Sequence, residues 1–90
     1  MVVQVIKRAG HSEPYSDAKL YQSLVSAALS VRTLEGEAEL LAGRVTKHVT
    51  AWIEDKIEVT SLDIRQLAKL VLSDLHSDAA YAYDVHDYNL

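Results

Sequence analysis

Residues 5–20, VIKRAGHSEPYSDAKL, gather Lys7, Arg8 and Lys19 around Glu13 and Tyr15. Lysine offers a compact positive charge and arginine a planar fork of donors, and both suit phosphate oxygens. Glu13 is the odd member: a carboxylate is a poor neighbour for phosphate but a good acceptor for an exocyclic amine such as that of adenine. Lys19 falls in the first turn of an expected helix, where positive charge opposes the helix dipole and calls for solvent or an anionic partner. The set therefore describes a site with a cationic end and a hydrogen-bond acceptor end, a layout complementary to a nucleotide. The plain alternative is a hairpin with a solvated basic turn.

The remaining polar residues carry weaker signals. His11, His48, His76 and His86 are scattered and lack the i, i+4 spacing of a helical metal pair, so no metal site is assigned. There is neither a nucleophile-elbow pattern nor a Walker-type phosphate loop. Trp52 falls on an apolar helical face, and Tyr81, Tyr83 and Tyr88 recur at helical spacing; packing is the expected role of all four.

These groups must be positioned by short elements. VVQVIKR is rich in β-branched residues and reads as a strand; AGHS supplies turn chemistry, and SEPY a short return strand in which Pro14 cannot donate to a ladder. Alternation along a regular strand would send Lys7 and Arg8 to opposite faces, a rule that relaxes beside a turn. Ser16 or Asp17 is the expected cap of a helix whose apolar stripe runs through Leu20, Leu24, Ala27, Ala28 and Val31. RTLEGE breaks that pattern, with Thr33 as the expected next N-cap, and a second helix follows carrying Leu41, Val45, Val49, Trp52 and Ile53. KIEVT is a third strand candidate. Thr60 and Asp63 are spaced as a capping box ahead of Ile64, Leu67, Ala68 and Val71, and Ser77 is the expected cap of a last, aromatic helix. The spacing predicts one domain over 1–90: a hairpin over 2–15 and helices over about 17–31, 35–55, 61–75 and 78–88. The fold class is α+β, mainly α, a four-helix bundle capped at its N-terminal end by a two- or three-stranded sheet.

Bulk properties narrow the function classes. The 90 residues carry a net charge of −4, so direct nucleic-acid binding runs against the overall field. There is no cysteine, so neither a disulfide nor a thiolate metal site is available. No apolar run approaches the length needed to span a bilayer, and the start lacks signal-peptide character, which together predict a cytoplasmic protein with no membrane partner.

The pattern V-x-K-R-x-G-x-x-E-x-Y-S-x-x-K-L resembles the ATP-cone, a small regulatory domain of ribonucleotide reductases and of their transcriptional repressor. VTSLDIRQLAKLVL and DAAYAYDVH are similar to the family's second and closing motifs. The resemblance implies a non-catalytic module that takes ATP or dATP, with or without Mg²⁺, and controls oligomerisation or a partner such as a reductase or its regulator. It implies that Lys7 and Arg8 contact phosphates, that Glu13 and Ser16 lie near the adenine, and that Lys19 lies near base or sugar. Val5 and Ile6 would line the pocket through their backbone, with Leu20 beside them. Ser61 and Arg65 would face the base and the ribose or phosphates. Where the family often closes with basic residues, this chain has Asp84, His86 and Asp87. That departure either loses a phosphate contact or puts in its place carboxylates suited to Mg²⁺, and it also supports an alternative, a degenerate cone serving as a protein-interaction scaffold without nucleotide.

Overall fold

The computed structural model describes residues 2–86. Its elements run β1 (Gln4–Ile6), β2 (Ser12–Pro14), α1 (Asp17–Ser30), α2 (Glu35–Ile53), β3 (Glu58–Thr60), α3 (Ser61–Leu75) and α4 (Ser77–Val85). The fold is α+β and mainly α, four helices under a small mixed sheet. The expected continuation of the last helix to 88, with Asp87 and Tyr88, lies outside the described residues.

β1 is the middle strand. It pairs antiparallel with β2, Val5 opposite Glu13, and parallel with β3, Ile6 opposite Thr60. Pro14 sits on the edge strand β2, where its missing N–H costs no ladder bond.

The helices start where local chemistry satisfies their first N–H groups. The Ser16 hydroxyl accepts from Lys19 N at 3.3 Å. Thr60 and Asp63 close a reciprocal capping box, Asp63 N to Thr60 Oγ1 at 3.0 Å and Thr60 N to Asp63 Oδ2 at 3.3 Å. Two expected caps are corrected. Leu34, not Thr33, is the N-cap of α2, because the Thr33 hydroxyl donates to the Ala28 carbonyl at 2.8 Å and so closes the end of α1 instead. His76, not Ser77, caps α4, its Nδ1 accepting from Ala79 N at 3.1 Å.

α1 packs on α2 and α4, and α3 on the same two, so the bundle closes as a square. Its interior is built on small residues: Ala27, Ala28, Ala38, Ala42, Ala68 and Ala79 are fully buried and let the helix backbones approach. Leu20, Leu24, Val45, Val49, Ile64, Leu72 and Tyr83 fill the remaining space. Val3, Val5 and Val59 point from the sheet into the same core. Trp52 is only partly buried; it packs at the core's edge with the Lys56 ammonium 4.4 Å from its ring centroid. Tyr81, expected to pack, is exposed. A side-chain bond between Tyr15 Oη and Thr50 Oγ1, 3.0 Å long, fastens the end of the hairpin to α2.

Candidate functional site

The β1–β2 turn explains how adjacent cations can share a site. Lys7 N donates to the His11 carbonyl at 2.8 Å, and Gly10 N to the Lys7 carbonyl at 2.9 Å. Gly10 has φ +93°, a left-handed conformation that a Cβ would oppose, and it completes a three-residue hairpin loop. Lys7 thus ends the paired strand while Arg8 opens the turn, and strand alternation no longer separates them.

Parallel pairing of β1 with β3 brings the start of α3 alongside this turn. The end of α4 forms a third wall. Between them lies a hollow of about 1080 Å³ lined by Ile6, Lys7, Arg8, His11 and Glu13 on the hairpin side, by Thr60, Ser61, Leu62, Arg65, Gln66 and Lys69 on the α3 side, and by Tyr83, Asp84, Val85 and His86 on the α4 side. Ile6, Lys7, Arg8, Glu13, Ser61 and Arg65, all expected from sequence, are therefore brought together. Val5 and Leu20 are buried in the core, 3% and 1% exposed, and do not line the hollow. Ser16 is engaged as the cap of α1. Lys19 stands at the margin and reaches the site only through Glu13.

Glu13 organises the hairpin wall. Its Oε1 lies 3.1 Å from Lys7 Nζ and 3.1 Å from Lys19 Nζ. The hydrogen bond from Lys19, then that from Lys7, holds its carboxyl below the ordinary carboxylate range. Tyr15 behaves oppositely: burial pushes its phenol above the ordinary tyrosine value, against a smaller opposing effect of the Thr50 bond. Arg8 is exposed and has no ion-pair partner among the described residues.

The α3–α4 wall holds the expected Arg65 together with Lys69, Gln66 and Tyr83, which the sequence reading did not place there. Arg65 Nη2 donates to the carbonyls of His86 at 3.1 Å and Asp84 at 3.4 Å. Lys69 Nζ lies 3.1 Å from Asp84 Oδ2. Lys69 was findable, since it follows Arg65 by one helical turn on the same face. His11 and Gln66 carried no signal of that kind.

A sequence model described as the ATP cone domain matches residues 3–88. The chain belongs to the ATP-cone family. No curated protein sequence matches it significantly. ATP-cones are nucleotide-binding regulatory domains rather than catalytic ones, and members bind ATP or dATP. The match spans both the hairpin and α3–α4 sides of this cone's hollow. A separate groove of about 610 Å³ between α1 and α2 sets Lys47 among Asp17 and Glu54, a charge balance unsuited to a polyphosphate. No helix of the cone's described residues is long and apolar enough to cross a membrane. Nor do any three His, Asp or Glu side chains among them form a metal-binding group.

Proposed function

We propose that the hollow between the hairpin turn and the facing ends of α3 and α4 takes an adenine nucleotide, ATP or dATP, and that occupancy shifts self-association or the activity of a partner protein such as a ribonucleotide reductase or its regulator. The observation that carries this reading is the convergence of Lys7 and Arg8 with Arg65 and Lys69 on one hollow that also presents the Glu13 carboxylate. The phosphates would meet the exposed Arg8 and the neighbouring cations. Glu13, oriented by Lys7 and Lys19, would accept from the exocyclic amine, and Ser61 would face base or ribose. Mg²⁺ would arrive on the phosphates, which with one or two carboxylates suffice to hold it. No hydrolysis is part of this reading. The nucleotide changes an assembly equilibrium only to the extent that one state binds it better.

Calorimetric titration with ATP, dATP and GTP in magnesium, followed by a mass measurement of each complex, tests the proposal. Ligand at a hundredfold its Kd should stabilise the fold by about 2.7 kcal/mol. That stabilisation should vanish in Lys7→Ala/Arg8→Ala.

A second reading, a scaffold that no longer takes nucleotide, is favoured by one specific feature: Lys7, Lys19, Arg65 and Lys69 all have acceptors within the chain. Flat heats with all three nucleotides would leave that reading standing.

A further inference from the structure

α4 ends without a cation of its own in its last turn, and Asp84 places a carboxylate there. A negative charge at a helix C-terminus adds to the negative end of the dipole, and the last carbonyls lack partners within the helix. α3 supplies what is missing: Lys69 reaches the Asp84 carboxylate and Arg65 the carbonyls of Asp84 and His86. These are the same two cations that α3 presents to the hollow.

We propose that the end of α4 is an internal competitor for the cations of α3, with Asp84 as the residue that sets how strongly the hollow holds a polyphosphate. This rests on the nucleotide reading above. In the structure the Asp84 carboxylate engages Lys69 at 3.1 Å, the contact a phosphate oxygen would need to make with the same ammonium. An incoming anion must displace the carboxylate or share Lys69 with it, and Asp84 repels it in either case. Lys69 and Asp84 are each about half exposed, 48% and 49%, so the bond is weak enough to exchange. Affinity is thereby held below what the cation count would give, which keeps the site responsive to changes in nucleotide level.

The test is calorimetric titration of the full chain and of Asp84→Asn with ATP and with inorganic tripolyphosphate, repeated in a Lys69→Met background. Asparagine keeps the shape and removes the charge; circular dichroism of the unliganded variants checks that each folds. The expected result is about three- to tenfold tighter binding by Asp84→Asn, the scale of one half-exposed ion pair plus relief of repulsion, with most of the gain lost when Lys69 is also replaced. Binding by Asp84→Asn alone, with none by the parent, would support the competitor still more strongly. If the parent binds ATP and Asp84→Asn binds no tighter, or if the gain persists undiminished without Lys69, the competitor is refuted and the nucleotide reading stands. If neither protein binds either probe, both fall.

Discussion

The ammonium groups of Lys7 and Lys19 meet at a single oxygen, Oε1 of Glu13, each 3.1 Å away. Both cations favour the ionised carboxyl, so its pKa in the folded state lies below its unfolded value. The resulting stabilisation is fully present above the ordinary carboxylate range and is lost as pH falls through the depressed value. Glu13→Gln should therefore lower the melting temperature near neutrality, where the stabilisation is present, and flatten the acid limb so that the two profiles converge at low pH. An unchanged acid limb would show that the three side chains are not coupled in solution.

Tyr15 predicts the opposite limb. Its folded pKa is raised, chiefly by burial, so its contribution is present below the ordinary tyrosine value and is lost as pH rises through the higher one. Tyr15→Phe removes the bond to Thr50 and should cost about 0.5–1.5 kcal/mol at neutral pH. It should also lessen the loss of stability in alkali. Urea denaturation at neutral and alkaline pH measures both effects.

Arg32 follows the end of α1 with φ +64°. Arg32 N donates to the Leu29 carbonyl and Thr33 N to the Ala28 carbonyl, the pattern of a left-handed helix stop usually made by glycine. Arg32→Gly should stabilise the fold by about 1 kcal/mol, the scale of the left-handed penalty on a residue with a Cβ. The denaturation midpoint should rise with an unchanged slope. Arg32 does not line the hollow, so nucleotide titration should give the parent's affinity.

The helices were legible because each buries one apolar stripe at a period the sequence displays, as in Leu20, Leu24, Ala27 and Ala28. The caps at Ser16 and Thr60 were legible because their partners are local. Thr33 and Ser77 were misread because neighbouring polar side chains compete for the same helix end: the Thr33 hydroxyl serves the helix before it, and the His76 imidazole takes the cap expected of Ser77. The hairpin side of the site could be read from types and spacing, since Lys7, Arg8 and Glu13 lie within one turn of each other. The α4 side could not. Asp84 read as a departure from the family's ending, and nothing in sequence spacing says that its carboxylate meets Lys69 across a helix boundary. Leu20 was assigned to the site by resemblance, whereas its side chain belongs to the core; Val5 was assigned through its backbone, and its side chain is likewise buried.

The parallel ladder between β1 and β3 joins strands that are distant in the chain, with Ile6 beside Thr60. Two whole helices, α1 and α2, lie between those strands in the chain. The hollow consequently takes its facing walls from segments far apart in sequence. A fragment ending at α2 keeps the cationic turn but lacks an opposing wall, so a ligand that recognises both sides discriminates intact molecules from nicked or half-made ones.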